Sequence, residues 1–485
     1  MVLISKSTYC DFCRCRKYAW NRKYHKELFT ITQDDQRHID DGVRVGQLAR
    51  QLYPNAVTIS DITGNSENIA QMVSATAEEI QKGTHVICEA AFRTGDLYCA
   101  VDILMKTGNS WVINEVKAVT FKDDKNFGKD FVDDIAFQKY VLEQCGLNVI
   151  RTNLVCLDSS YVRGNELDLD HLFRFVNLTD QVNQKINNVP GICATAAIDL
   201  SSQSEPGVEI SPKCKDDRYC DLWNQCGPDM EQSVFSLNNK KFKSAMKMIE
   251  EGNETFEDCY INHVKLDKLP NLQVQYALNE KLNLGLPEIY TEKEEIRKFM
   301  EHLTYPLYFL DFETVQYAIP QFPGTHSYQQ IPFQYSLHYI EEKGGELKHR
   351  EFLGESGTDT RRAVAEGLCE DIPMDVVTTA YNKRFECMII RDLAAAFPDL
   401  RDHLLNIRDH IVDLMDPFSE CWYYRKEIGK SVSIKSVLPA IFPKIQYMTP
   451  EEQTRTRNNL LKYCCLDTLA MVKVWEELER VLTES

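Results

Sequence analysis

The stretch "YFLDFETV", residues 308–315, sets Asp311 and Glu313 one residue apart at the end of an apolar run that begins at Leu307. Such a run suits a central strand, and side chains two apart on a strand share a face. The spacing of the two carboxylates suits the bridging of two divalent metals. The competing reading is a strand with ordinary surface acids, because Asp-x-Glu arises by chance about once or twice in a chain of this length.

Two later stretches weigh on that choice. "VVTTAYNKRFECMII", residues 376–390, reads as a β-branched strand, a polar turn and a helix. It places Asn382 and Glu386 at the strand's end, where open α/β sheets keep their sites. "LLKYCCLDTLAMVKVWEEL", residues 460–478, reads as a helix in which Tyr463 and Asp467 are one turn apart and share a face. Four acids around two metals, with a phenol to orient the attacking water, are the apparatus of in-line phosphodiester hydrolysis. Asp413, Lys430 and Lys435 lie between these motifs. The two lysines read as nucleic-acid contacts or as solvated loop residues.

Residues 96–117, "DLYCAVDILMKTGNSWVINEVK", read as two strands joined by a turn at Thr107-Gly108-Asn109-Ser110. Asp102 falls on the first strand, and Glu115 and Lys117 on one face of the second. Two carboxylates and a lysine so placed suit a site holding Mg²⁺ or Mn²⁺, although exposed hairpins often carry Glu-x-Lys. In "FVDDIAFQKYVLEQC" the residues Phe131, Ile135, Gln138, Leu142 and Cys145 define one helical face. Gln138 interrupts that apolar stripe, with Asp134 bordering it. A buried amide needs partners, so Gln138 faces either a polar site or a backbone group in the core.

Length and composition frame these motifs. The 485 residues predict two or three domains. Hydrophobic content of 43% and charged content of 26% are those of a globular protein. A net charge of -18 argues against coating nucleic acid through the overall field. A local exception runs from Lys6 to Lys26, where Arg14, Arg16, Lys17, Arg22 and Lys23 alternate with Tyr9, Tyr18, Trp20 and Tyr24. That mixture suits phosphates and stacked bases, or else a solvated helix face. No apolar run approaches the ~20 residues of a membrane span, and no secretory leader is legible, so the expected location is the cytoplasm with no membrane partner. The 17 cysteines then read as thiols or metal ligands rather than disulfides. Cys214, Cys220 and Cys226 are evenly spaced in a turn-prone segment, an incomplete tetrahedral set whose fourth ligand must come from elsewhere. Cys10, Cys13 and Cys15 are the N-terminal choices.

The series Glu89, Asp102, Glu115-Val116-Lys117 and Gln138-Lys139-Tyr140 resembles the RecB-type branch of the PD-(D/E)XK nucleases. Glu89 is the candidate for the upstream acid of that branch. "SKSTYCDFCRCRKYAW" resembles the N-terminal segment of its iron–sulfur members. The resemblance implies that Cys15 joins Cys214, Cys220 and Cys226 around a structural [4Fe–4S] cluster, with Zn²⁺ as the alternative. The ordered set Asp311-x-Glu313, Asn382 with Glu386, and Tyr463-x-x-x-Asp467 resembles the DEDDy exonucleases of the DnaQ, RNase H-like fold. One departure is that Glu386 stands where the second motif usually has aspartate. With "LISKS", "VGQLARQLYP", "YQQIPFQYSLH", "SIKSVLPAIFP" and "YCCLDTLAM", the chain resembles an uncharacterised bacterial family that joins the two domains.

That resemblance implies an α/β protein in three parts: a PD-(D/E)XK nuclease domain over 1–235, a helical connector over 236–300 and a DEDDy exonuclease-like domain over 301–485. The expected catalytic set is Glu89, Asp102, Glu115, Lys117 and Gln138 in the first domain and Asp311, Glu313, Glu386, Tyr463 and Asp467 in the second. Asp102, Glu115, Asp311, Glu313, Glu386 and Asp467 are the expected metal ligands. The expected activity is metal-dependent hydrolysis of nucleic acid, DNA in the first instance, in repair or defence against mobile elements. A helicase or defence-system protein is the expected partner, since no G-x-x-x-x-G-K-[ST] loop is present. The alternative is a nucleic-acid-binding or assembly factor in which one or neither site is catalytic.

Overall fold

A computed structural model describes residues 2–60, 68–122, 127–128, 131–211, 214, 220–227, 231–238, 241–443 and 457–483. The chain is mixed α/β and divides into two compact units, one of residues 1–227 with 317–329, the other of residues 228–316 with 330–485. The 236–300 stretch, expected as a connector, is counted with the second unit. Its helices include Phe242–Glu250, Phe256–Ile261, Lys268–Leu282 and Lys293–Glu301.

The first unit is built on strands β1 (Ile4–Ser5), β2 (Val57–Thr58), β3 (Val86–Thr94), β4 (Leu97–Thr107), β5 (Ser110–Thr120), β6 (Val149–Leu157) and β7 (Phe173–Asn177). Their order is β2-β3-β4-β5-β6-β7, with β1 alongside β4. β3, β4 and β5 form an antiparallel meander, and β6 runs parallel to β5. Parallel neighbours need a crossover, and the helix between them is Val132–Gln144.

That helix is less one-sided than its sequence predicts. Val132, Ile135, Phe137, Gln138, Lys139, Val141 and Leu142 are all buried, because other helices cover the side away from the sheet. Cys145, expected on the apolar face, is the exposed C-cap. Gly146 follows at φ 86°, and its N–H and that of Leu147 return to the carbonyls of Glu143 and Leu142, a Schellman stop that turns Cys145 outward.

The N-terminal strip, read as a nucleic-acid face or a solvated helix face, buries most of its aromatic rings. It folds into helices α1 (Lys6–Arg14) and α2 (Arg16–Tyr24), followed in the unit by α3 (Gln33–Gln51), the crossover helix α4 (Val132–Gln144) and α5 (Val189–Ser201). Tyr9, Tyr18 and Trp20 are buried, and Tyr9 stacks on Phe137 with ring centroids 4.8 Å apart. The cations pair within the protein: Arg16 with Asp199, Lys17 with Glu205 and Arg22 with Asp11. Burial of the rings costs no stacking partner, and the acids that neutralise the cations arrive mainly from distant sequence.

The second unit holds β8 (Tyr290–Thr291), β9 (Leu307–Val315), β10 (Ile331–Ile340), β11 (Leu347–Leu353), β12 (Val377–Ala380), β13 (Ile411–Asp413) and β14 (Tyr423–Tyr424). The main sheet runs β11-β10-β9-β12-β13. β11, β10 and β9 are antiparallel, while β12 and β13 run parallel with β9. Helices α6 (Arg384–Ala396), α7 (Ile434–Ile441) and α8 (Arg457–Thr483) serve the site described below.

"YFLDFETV" is the middle strand of this sheet and is covered on both faces. Leu307 and Phe309 join a cluster with Met471, Val474 and Leu478 of α8, while Tyr308, Leu310 and Phe312 join one with Ile390 and Leu393 of α6. The alternation puts Asp311 and Glu313 on the face that α8 covers. Opposite them on β10, Gln334, Ser336 and His338 form a buried polar row. Burial pushes the His338 imidazole down to about 4, with a smaller effect from His349, so the ring is neutral at neutral pH. Among the described residues, no helix is long and apolar enough to cross a membrane.

Candidate functional site

In the first unit the sheet register aligns three acids. Cys88 pairs with Ile103 and Ala90 with Val101, so Glu89 falls opposite Asp102; Ile103 pairs with Asn114, so Asp102 falls opposite Glu115. The row interrupts the ladders. Glu89 has left-handed backbone at φ 55°, a conformation uncommon for glutamate, and the Val116 N–H is bound by Asp102 Oδ2 at 2.8 Å. Arg50 donates to Glu89 Oε1 at 2.5 Å, while Glu89 Oε2 is buried without a partner. A cavity of about 350 Å³ lies beside this row, lined by Lys6, Met72, Glu89, Tyr98, Cys99 and Asp102 among others.

Glu115 is fully buried, and three donors reach it. Lys117 Nζ reaches Oε1 at 2.6 Å and Lys6 Nζ reaches the same oxygen at 2.8 Å. Gln138 Nε2, also fully buried, donates to Glu115 Oε2 and to Asp134 Oδ1, each at 2.8 Å. Lys117 bonds Asp134 Oδ2 at 2.9 Å. The misplaced glutamine of the apolar stripe therefore faces a polar cluster and not the core backbone. Burial alone would raise the Glu115 carboxyl, but Lys6 and Lys117 overcome it and hold the group well below the usual range. Asp102 is pushed up by burial and then by the charge of Glu115.

In the second unit, carboxylate oxygens of Asp311, Glu313 and Asp467 lie within 4.8 Å of one another. Cys464 of α8 packs against Asp311, its thiol 3.7 Å from Oδ2. Burial, followed by the charges of Asp467, Glu386 and Glu313, pushes Asp311 up strongly. Glu313 rises to about 7, through burial and then Asp467. Glu386, in the first turn of α6, rises to about 8, mainly through burial. Glu386 stands beside the three-acid group rather than within it, and its Oε2, like Asp467 Oδ1, is buried without a partner.

The turn that presents Glu386 is held by Asp413. Its carboxylate, buried at the end of β13, accepts from the N–H groups of Asn382, Lys383 and Met415 at 2.8–3.0 Å. Asn382 is left-handed at φ 64°. Asp413 is thus spent on backbone, and the glutamate projects into the site.

Residues 308–433 match a family described as a domain of unknown function (DUF2779). No curated protein matches the chain. The matched stretch contains Asp311, Glu313, Glu386 and Asp413, while Tyr463 and Asp467 lie beyond it.

Tyr463 sits one turn before Asp467 on α8, and Lys435 Nζ lies 5.7 Å from the centre of its ring. Lys435 belongs to α7, so the reading of it as a loop lysine is corrected, although it stays exposed: the α7–α8 packing brings its ammonium near Tyr463, Asp467 and Glu313. Lys430 contributes a backbone carbonyl, which accepts from Asn238 Nδ2. Lys6 is the residue that sequence reasoning left outside the first cluster. Its local signal is Ser5, whose side chain caps α1 and starts the helix there.

Of the four cysteines, Cys15 is the N-cap of α2, and Cys226 ends the short helix Trp223–Cys226. Cys220 N–H bonds the Cys214 carbonyl, but residues 215–219 between them lie outside the described ones. Burial pushes the Cys220 and Cys226 thiols up, and Cys214 lies near enough to add to the first and Cys15 to the second. Among the described residues, no three of these sulfurs lie within 4.8 Å of one another. A single tetrahedral zinc with Zn–S bonds of about 2.3 Å needs a tighter set.

Proposed function

We propose that the chain is a divalent-metal-dependent nuclease with two active sites: a RecB-type PD-(D/E)XK site in the first unit and a DEDDy-type exonuclease site, on an RNase H-like sheet, in the second. The observation that carries the reading is the convergence of Asp311, Glu313 and Asp467 from β9 and α8, where, among the described residues, no basic side chain is seen hydrogen-bonded to them. Acids raised by burial and by one another are short of positive charge, which Mg²⁺ or Mn²⁺ supplies. Asp467 Oδ1 and Glu386 Oε2, buried and unpartnered, are the atoms left for such ions.

The residues divide the work. Asp311, Glu313, Asp467 and Glu386 would hold the metals. Tyr463 and Lys435 stand where a phenol orients water and an ammonium meets a phosphate. In the first unit, Asp102 and Glu115 would hold a metal, Lys117 counters charge developing on phosphate, and Gln138 and Asp134 orient Glu115 and Lys117. When bound, the metals supply an activated water and charge stabilisation for in-line hydrolysis. The four cysteines, of which no three sulfurs lie within 4.8 Å of one another, would hold a [4Fe–4S] cluster, which is larger than one ion.

DNA is the proposed substrate, in repair or defence, with a helicase or defence-system protein as partner. The test is cleavage of 3′- and 5′-end-labelled single- and double-stranded DNA and RNA by anaerobically purified wild type, Lys117→Ala and Asp311→Ala, with Mg²⁺ or Mn²⁺. Loss of different products in the two variants supports two sites. Unchanged cleavage in both variants overturns the reading.

A further inference from the structure

One ligand atom from each of His338, His349 and Cys465 lies within 4.8 Å of the others. Three elements meet there. His338 on β10 and His349 on β11 are directly opposed in the antiparallel register, with ring centroids 4.4 Å apart. Cys465 comes from α8, which packs against both strands.

The rings are fixed from behind by hydroxyls. Thr468 Oγ1 is 2.8 Å from His338 Nδ1 and 2.7 Å from Ser336 Oγ, and Ser336 Oγ is 3.0 Å from His349 Nε2. Each imidazole is thus anchored through one nitrogen, and a ring that donates its N–H there keeps a lone pair on the other. Metal-ligating histidines are typically held in this way through the nitrogen that does not bind the ion.

We propose that His338, His349 and Cys465 bind a Zn²⁺ ion that pins α8 to the β10–β11 edge of the sheet. Two imidazoles and a thiolate form a borderline-soft set that suits zinc and disfavours Mg²⁺ or Mn²⁺, so this centre is chemically distinct from the carboxylate site. Water or Glu351, which shares the His349 face of β11 and whose charge acts on Cys465, takes the fourth position. Cys465 and Thr468 flank Asp467 on α8, so the ion would fix the helix register that sets the Asp467 carboxylate. The zinc assignment stands on its own donors and does not rest on the nuclease reading.

The test uses the full chain, stripped of metal and reloaded anaerobically with Zn²⁺ or Co²⁺. Wild type, Cys465→Ser and His349→Gln are compared, with Asp311→Asn and Cys226→Ser as controls for the other candidate sites. His349 is exposed on an edge strand, so its replacement leaves the core intact, and thermal melts report the folded state of each variant. The expected result is that Cys465→Ser removes one zinc-binding event and its share of the thiolate-to-cobalt charge-transfer absorption. His349→Gln weakens that event at least about tenfold, and the two controls retain it. Wild-type zinc content and cobalt spectra in both folded Cys465→Ser and His349→Gln would overturn the proposal.

Discussion

The two acid clusters solve one electrostatic problem in opposite ways. In the first unit, Glu115 is buried with Lys6, Lys117 and Gln138 all donating to it, and it is held ionised. In the second, Asp311, Glu313 and Asp467 crowd together with Lys435 as the nearest named cation, and all three are pushed toward the neutral form. The lesson concerns where the balancing charge resides. One cluster carries it in the chain, whereas the other leaves its acids pushed toward the neutral form.

The largest expected effect follows from that contrast. Asp311→Asn should cut any C-terminal exonuclease activity by more than about 10²-fold, since even outer-shell changes at metal sites cost ~10–100-fold. The same variant should melt higher than wild type in metal-free buffer, by about 0.5–2 kcal/mol, because it removes one charge from the crowd. Lower stability in the variant would break the comparison.

Asp413→Ala should come next, costing about 3 kcal/mol in urea unfolding, because a buried carboxylate that satisfies three backbone N–H groups is lost. It should also reduce C-terminal activity by loosening the turn before Glu386.

Mg²⁺ or Mn²⁺ at about 100 times the dissociation constant should stabilise wild type by ~2.7 kcal/mol through whichever site binds it. A differential scanning measurement should find this gain reduced in Asp311→Asn and largely kept in Lys117→Ala. Equal gains in both variants would remove the distinction between the clusters.

A smaller effect is expected in the first unit. Gln138→Leu keeps the volume but removes the donor to Glu115 and Asp134, and should cost about 1–3 kcal/mol. Cys145→Ser, at the exposed helix end, should stay within about 0.5 kcal/mol. Matching losses would mean that the burial of Gln138 serves packing rather than the cluster.

Much of this architecture was legible beforehand. The hairpin of β4 and β5, the strand–turn–helix that presents Glu386 and the long helix bearing Tyr463 and Asp467 all follow from local periodicity and turn residues. So did the polar destination of Gln138, since an amide inside an apolar stripe needs partners. Less legible was the N-terminal strip, whose aromatics and cations look like a binding face until Asp199 and Glu205 supply the counter-charges.

The sequence by itself determined which faces of β5, β9 and α8 carry the acids, because strand and helix periodicities are local properties of the backbone. Only tertiary structure decided which acids meet. Lys6 reaches Glu115 across 109 residues, Lys435 comes to lie over Tyr463, and His338, His349 and Cys465 converge from two strands and a helix. Such meetings depend on how whole elements pack, and residues far apart in the chain leave no periodic trace of a contact made through space.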